Sequence, residues 1–237
     1  MSVLRGIIHF HSAFSNDGNI PLENIASKAA ENSLDFLILT EHNTIQSSVE
    51  LNEIVNAHQF KIQVPIAAEY KTEYGDVIAA FIHSEITEMK FAEFVRQVRS
   101  QEGLILFPHP FASHTCIEAI AREADLIEIF NGRMSNEKNR KSEQLAVNFG
   151  KKGYFSSDAH IYRNLFDAVV YVEPSGGLRN SLLSSEIFCP NPKKTRNIDI
   201  LQSYYIKAIK TNDMRRFFKS SRRLLRWTVT GKIFRKI

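Results

Sequence analysis

The segment HFHS near the N-terminus places His9 and His11 one residue apart at the end of an apolar run. Residues i and i+2 of a β-strand point to the same side, so the two imidazoles are expected to face one point. Asp158 and His160 repeat this spacing in SSDAH, after another short apolar run. Because converging imidazoles and carboxylates bind zinc, manganese or iron, the two pairs predict a metal site.

Other histidines and carboxylates also stand where apolar runs lead into loops. With the two pairs they make nine candidate ligands: His9, His11, Asp17, His42, Glu69, His83, His109, Asp158 and His160. Asp17 lies in SNDGN, which is also a typical turn sequence, and His83 follows a strand that could be only a hairpin partner. One zinc ion takes about four ligands. Nine ligands, with one carboxylate bridging, would therefore suit two or three metals.

Substrate-binding candidates follow the same logic. The segment EIFNGR places Glu128, Asn131 and Arg133 at the end of a predicted strand. Arg133 could hold a second phosphate or a carboxylate in a bidentate way, or be a loop arginine paired with a nearby acid. His114 is either a rim residue that protonates a leaving group or a polar loop residue. Arg163 is a weaker candidate of the same kind as Arg133.

The elements that must position these residues alternate along the chain. Apolar runs of strand type alternate with segments of helical periodicity over about 170 residues, which predicts an α/β fold with a parallel sheet, as a barrel or a doubly wound layer. The segments 61–69 and 76–84 are joined by YKTEYG and predict a hairpin. In β/α barrels the loops that follow the strands build the active site, which is where most of the candidate ligands stand.

The charge of the chain divides it into two parts. Residues 207–237 contain eleven Lys and Arg against one acid, a net charge of +10, whereas the other 206 residues carry −6. We expect a barrel domain over residues 1–190, and a linker with a basic helical tail over residues 191–237. The basic, apolar tail could pack against the barrel, lie on an anionic membrane surface or bind nucleic acid. Nucleic acid is the least favoured of the three, because no recognised binding motif is present.

The bulk composition is that of an ordinary globular protein, with 43% hydrophobic and 24% charged residues. There is no long uncharged apolar run and no signal-peptide pattern in the sequence. The two cysteines, Cys116 and Cys189, are too few for a disulfide framework and suit a reducing compartment. We therefore expect a cytoplasmic protein, with a peripheral position at the inner face of the membrane as an alternative that the tail would support.

The motifs HFHSAFSNDG, ILTEHNT, AAEY, FPHP and SSDAH resemble, in order and spacing, those of the PHP family, named for polymerase and histidinol phosphatase. The resemblance covers about residues 5–175. It implies a distorted (β/α)7 TIM-like barrel with a trinuclear metal site. It assigns His9, His11, Glu69 and Asp158 to one metal, Glu69, His83 and His109 to a second, and Asp17, His42 and His160 to a third.

The resemblance also implies a function, hydrolysis of a phosphate ester by metal-activated hydroxide, with His9, His11, Glu69 and Asp158 as the catalytic core. We expect a small-molecule substrate, such as a nucleotide or a sugar or amino-alcohol phosphate, because the acidic body would repel a long polyanion. The alternatives are a protein tyrosine phosphatase of the polysaccharide-export type and a non-catalytic metal-binding assembly domain.

Two positions depart from the family pattern. Glu41 stands where the second motif commonly has aspartate, as T-D-H, and is expected to fix a loop. Asp17 stands where some members have histidine. A carboxylate in place of an imidazole favours a harder ion, so manganese and iron are expected alongside zinc.

Overall fold

The computed structural model describes residues 3–230, with side chains described as far as Arg226. Nine strands lie within these residues: β1 (Leu4–Ile8), β2 (Phe36–Ile38), β3 (Ala67–Thr72), β4 (Gly75–Ala80), β5 (Leu104–Phe107), β6 (Leu126–Asn131), β7 (Lys152–Ser156), β8 (Val170–Val172) and β9 (Ile187–Phe188). Eight α-helices accompany them: α1 (Leu22–Glu31), α2 (Gln46–Ala57), α3 (Phe91–Ser100), α4 (Ile117–Glu123), α5 (Asn136–Asn148), α6 (Leu178–Ser184), α7 (Asn197–Lys210) and α8 (Met214–Thr230).

The strands form two sheets, with the orders β2-β1-β8-β9 and β3-β4-β5-β6-β7. Single bridges join the sheets, from Phe10 to Ala159 and from His42 to Glu69. The predicted α/β class and the β3–β4 hairpin are confirmed. The closed (β/α)7 barrel stays a prediction, because the ladders of residues 3–230 run as two sheets.

The prediction of a parallel sheet is wrong for part of the structure. The β1–β2, β5–β6 and β6–β7 pairs are parallel. In contrast, β4 runs antiparallel to β3 and β5, and β8 runs antiparallel to β1 and β9. The two-residue turn of Glu73 and Tyr74 reverses the chain between β3 and β4, since a parallel connection needs a crossover of a dozen or more residues.

The core is arranged around the sheets. Leu104 and Leu106 of β5 pack in a cluster to which each of the nine strands contributes. Ile105 and Phe107 point the other way and pack with helices α3, α4 and α5. This alternation follows the two-residue period of a strand. It gives rigid strands with both faces buried, and their ends can therefore hold side chains in fixed positions.

The helix α7, in the predicted tail segment 191–237, contacts the α/β domain. Lys207 and Lys210 of α7 reach the loop between β1 and α1, and Ser203 contacts Arg133. Helix α8 packs on α7, where the rings of Tyr205 and Phe217 lie 5.0 Å apart. Of the three roles expected for the tail, packing against the body is the one that α7 shows. Residues 231–237 of the predicted tail lie outside the described residues. None of the helices within residues 3–230 has the length and apolar character needed to cross a membrane.

Candidate metal centre

Eight of the nine predicted ligands come together, and they do so where strands end. They are His9, His11, Asp17, His42, Glu69, His109, Asp158 and His160. In three groups of three, one donor atom from each residue lies within 4.8 Å of the others: His11, His42 and His160; His9, Glu69 and His109; and His9, His11 and Asp158. The predicted convergence of imidazoles and carboxylates is thus present in the fold.

His9 is the most buried member of the cluster. Its Nδ1 lies 2.8 Å from Oε1 of Glu128. Its Nε2 is buried and has no hydrogen-bond partner among the described residues, while it faces Glu69 at 3.8 Å and Asp158 at 3.7 Å. Metal-ligating histidines typically bind the ion through one ring nitrogen and a carboxylate through the other. The orphaned Nε2 therefore fits a metal ligand.

The neighbouring carboxylates also govern the charge of His9. Burial lowers the pKa of this imidazole, but the nearby Glu128, Asp158 and Glu69 outweigh it and raise the pKa to about 10. His11 behaves in the opposite way. Burial and two neighbouring histidines lower its pKa to about 3. Its Nε2 lies 3.5 Å from Asp158 and 3.6 Å from Glu69, with the ring neutral and able to donate a lone pair.

A second set of ligands surrounds Asp17. Its Oδ1 lies 3.4 Å from Nε2 of His160 and 3.6 Å from Nε2 of His42. Its Oδ2 lies 2.8 Å from Nζ of Lys207. Burial raises the pKa of this carboxyl, but contacts with His160 and His42 outweigh burial and hold the pKa well below its usual range. Asp17 is therefore ionised and faces two imidazoles.

Glu69 connects the two sides of the cluster. Its Oε1 lies 3.1 Å from Nε2 of His109, and its Oε2 lies 3.1 Å from Nδ1 of His42. Burial raises the pKa of this carboxyl, but its contacts with the two histidines keep the pKa below its ordinary value. An ionised carboxylate with one oxygen toward each group of imidazoles has the geometry that a bridging ligand needs.

Three of the ligands hold unusual backbone conformations. His9, His109 and Asp158 have positive φ angles of 60°, 30° and 49°. Each stands one or two residues beyond the end of its strand, β1, β5 or β7. Left-handed backbone costs a non-glycine residue on the order of 1–3 kcal/mol and persists where the surroundings enforce it. Here it turns the chain abruptly at the strand end, within the cluster.

His83 is not part of this cluster. It is exposed, and its backbone nitrogen donates to Oε1 of Gln101. The reason is the direction of β4: Ala80, its last residue, pairs with Leu104, the first residue of β5. The end of β4 thus lies at the edge of the sheet opposite the cluster, so the expectation that His83 stands beside the other ligands is corrected.

The first residues of β4, and not the residues that follow its end, lie beside the cluster. Asp76 lies on the cluster side, and a donor atom from each of Asp76, His109 and His114 lies within 4.8 Å of the others. Asp76 was not among the predicted ligands, although a hairpin at YKTEYG places the first residues of β4 near the ends of the parallel strands. Nε2 of His114 donates to the carbonyl of Asp76 at 2.8 Å. Burial, together with His109, lowers the pKa of His114 to about 4.

The cluster opens into a cavity of about 370 Å³. Cationic side chains from four elements or loops line it: Arg133, Lys138, Lys207 and Arg223. Arg133 contacts the ring of His160 and donates to Ser203 Oγ at 3.1 Å. Arg133 therefore lies at the cavity, and its role in substrate binding stays a prediction, whereas Arg163 is exposed and is not among the lining residues.

Asn131, the third predicted substrate residue, has another set of contacts. Its side-chain nitrogen donates to Glu128 at 2.9 Å and to Asp158 at 3.2 Å, and the residue is buried. Glu41 is also buried and accepts a hydrogen bond from the backbone nitrogen of Ser12, beside His11. Both side chains therefore fix residues of the cluster and its loops, as was expected for Glu41, and the substrate contact expected of Asn131 stays a prediction.

Comparison with known proteins identifies the family of the chain. Residues 8–217 match the family model of the PHP domain. An uncharacterized protein of Methanocaldococcus jannaschii is 27% identical over 143 residues, which is 54% of this chain and 82% of that protein.

Two solved structures share the fold. One is a two-domain protein from Bacteroides vulgatus, described as containing a predicted PHP-like metal-dependent phosphoesterase, with a TM-score of 0.66, 19% identity and coverage of 79% of this chain. This chain spans 65% of that protein's length. The other is PsfC of Pseudomonas syringae, with a TM-score of 0.60, 16% identity and coverage of 91% of this chain and 98% of PsfC. The chain belongs to the PHP domain family.

Proposed function

We propose that the protein is a metal-dependent phosphoesterase that hydrolyses a small phosphate ester. The observation that carries this proposal is the cluster of eight imidazole and carboxylate ligands, which opens into a cavity whose other walls carry cations. Membership of the PHP family supports the same reaction class, as does the structural neighbour described as containing a predicted PHP-like metal-dependent phosphoesterase.

The ligand set fits two or three divalent ions of manganese, zinc or iron. His9, His11 and Asp158 would hold one, His42, His160 and Asp17 another, and Glu69 with His109 would contribute to a further position. Bound divalent ions lower the pKa of water and neutralise phosphoryl oxygens, which is the chemistry that ester hydrolysis needs. Glu128 would keep Nε2 of His9 directed at the ions by holding its Nδ1.

The cations of the cavity would bind the phosphate group. Lys138 and Arg223 line the cavity, and neither has an ion-pair partner within residues 3–226. Both side chains are partly exposed, so water solvates them in the absence of an anion, and they are available to form charge-assisted hydrogen bonds with an anion that enters the cavity. A volume of about 370 Å³ is in the range of small-molecule sites. These features support a small phosphate ester over a polymer as the substrate.

The test is elemental analysis of the purified protein, with hydrolysis of p-nitrophenyl phosphate, its bis-ester and a phosphotyrosine peptide in added Mn²⁺. We expect two or three metals per chain and hydrolysis of a small ester, with both lost or reduced in Asp158→Asn. His58→Ala, an exposed helix-end histidine, is the matched control and should keep both. Preference for the phosphotyrosine peptide would favour the tyrosine phosphatase alternative. Metal without hydrolysis of any ester would favour the assembly domain.

Helix α8 supports a further proposal, contact with an anionic membrane surface. Met214, Phe218 and Leu225 are 58%, 60% and 69% exposed. Arg215, Lys219 and Arg222 lie beside them on the same helix. Exposed apolar side chains flanked by cations are typical of helices that lie on membranes. Such a helix would place the protein at the inner face of the membrane.

A further inference from the structure

We propose that Asp76, His109 and His114 bind a divalent metal ion, with His114 and Asp76 in the role that the family resemblance gave to His83. The proposal rests on the metal centre of the proposed function. It assigns ligands to the position for which only Glu69 and His109 were named above. It is carried by three side chains whose donor atoms lie within 4.8 Å of one another.

The ring nitrogens of His109 and His114 are in a state that suits metal binding. Nδ1 of His109 and Nδ1 of His114 are both buried, and neither has a hydrogen-bond partner in the part of the chain that the structure describes. Nε2 of His114 is occupied by the carbonyl of Asp76, 2.8 Å away. A histidine that donates one N–H to a backbone carbonyl presents its other nitrogen as a lone pair, which is the usual arrangement of a metal-ligating imidazole.

The ring of His114 is held firmly by its neighbours. It packs edge-on against Phe107, with ring centroids 5.0 Å apart. Gly75, with a φ of 126°, leaves room for it, because a Cβ at Gly75 would lie 2.3 Å from Cδ2 of His114. The backbone of Thr115 also donates to the carbonyl of Tyr74 at 2.9 Å. These contacts fix the ring against the β3–β4 turn, as a preorganised ligand requires.

The site also has the donor types that a divalent metal ion needs. Asp76 supplies a carboxylate, one oxygen of which pairs with the half-exposed Lys71 at 3.1 Å. His109 also lies 3.1 Å from Oε1 of Glu69, which connects this position to the rest of the cluster. Two imidazoles and carboxylate oxygens together suit Zn²⁺, Co²⁺ or Fe²⁺. The antiparallel direction of β4 places Asp76 here and His83 at the opposite edge.

The experiment uses full-length protein, stripped with a chelator, reconstituted with Co²⁺ and dialysed. Co²⁺ per chain is measured by elemental analysis and the visible d–d absorption of the ion is recorded. His114→Ala and Asp76→Asn are each expected to hold one Co²⁺ fewer per chain than the wild type, with a changed spectrum. His83→Ala is the matched control and should keep the wild-type count.

The outcomes separate this proposal from the proposed function. A full Co²⁺ count in His114→Ala, or the loss of one ion in His83→Ala, would overturn the assignment and leave the phosphoesterase standing. A wild-type chain that binds no Co²⁺, Mn²⁺ or Zn²⁺ would overturn both. If metal-free His114→Ala has lost its circular dichroism spectrum, His114→Gln takes its place, because the amide can still donate to the carbonyl of Asp76.

Discussion

One carboxylate, Glu128, contacts two of the predicted metal ligands: its Oε1 lies 2.8 Å from Nδ1 of His9, and its Oε2 accepts from the backbone nitrogen of His109 at 2.6 Å. Outer partners of this kind usually contribute about 10–100-fold to metal affinity. We expect Glu128→Gln to weaken Mn²⁺ binding by about that factor, because the amide cannot hold both ligands as an anion does. Calorimetric titration of the stripped protein with Mn²⁺ measures it.

The control for this substitution is Glu143→Gln, which makes the same chemical change at an exposed position of α5. It should bind Mn²⁺ as the wild type does. Equal affinity of Glu128→Gln and the wild type would show that the contact with His9 does not orient the imidazole for metal.

Much of the site was predictable from the sequence because ligands at the ends of parallel strands converge for a general reason. His9, His42, His109 and Asp158 follow β1, β2, β5 and β7, and the predicted strands placed all four correctly. Position relative to a strand end is a local property, and the apolar runs define it. The i and i+2 rule does not explain the direction of the side chains, because His9 and Asp158 lie beyond their strands and have positive φ angles.

The parts that were missed depend on direction and on distant contacts. His83 follows a strand as clearly as His109 does, but the reversal at the hairpin sends it to the other edge, and Asp76 takes its place. The basic tail gave no sign that Lys207 would reach Asp17, 190 residues earlier. Charge density predicts an anionic partner, whereas the particular carboxylate depends on how α7 packs.

The charge of His9 predicts that metal binding releases protons. Burial lowers the pKa of His9, but Glu128, Asp158 and Glu69 raise it to about 10, so the metal-free ring is protonated at pH 8. A metal can bind only the deprotonated nitrogen. The apparent Mn²⁺ affinity should therefore rise with pH between 7 and 9, by up to about tenfold per unit for each proton displaced.

Titration calorimetry at pH 8 in HEPES and in Tris measures this release, because the two buffers take up a proton with different enthalpies. The observed binding enthalpies should differ by the number of protons released times the difference in buffer enthalpy. Identical enthalpies in the two buffers would mean that His9 is already neutral in the metal-free protein.

The raised pKa of His9 also affects the free energy of unfolding of the metal-free protein. The stabilisation that the protonated ring contributes is fully present below pH 6.5 and is lost as the pH rises through about 10.

Lys210 is expected to hold the loop that carries Asp17. Its ammonium donates to the carbonyls of Ala13, Ser15 and Gly18 at 2.7, 2.8 and 2.8 Å. Replacing it in Lys210→Met keeps the aliphatic stem and removes all three hydrogen bonds. We expect a loss of about 1–3 kcal/mol in the free energy of unfolding, and faster amide hydrogen exchange over residues 12–19.

Urea unfolding and hydrogen exchange measure these two effects. The matched control is Lys219→Met on α8, where the side chain is exposed, and its loop exchange should match that of the wild type. Unchanged exchange over residues 12–19 in Lys210→Met would show that the loop is held without α7. The tail would then be separable from the site, as the charge pattern alone suggested.

The exposed face of α8 predicts binding to anionic vesicles. Phe218 and Leu225 are exposed next to a row of cations, and burying one such side chain in a membrane interface contributes roughly 1.5–3 kcal/mol. The double substitution Phe218→Ser with Leu225→Ser should lower binding to phosphatidylglycerol vesicles at least about tenfold. Phe188→Ser removes an equally large but distant exposed ring on β9 and should leave binding unchanged.

Sedimentation with vesicles measures the bound fraction, with neutral phosphatidylcholine vesicles and duplex DNA run in parallel. Wild-type binding to DNA but not to anionic vesicles would exchange the membrane for nucleic acid as the partner of α8, and binding to neither would leave packing on α7 as the whole role of the helix.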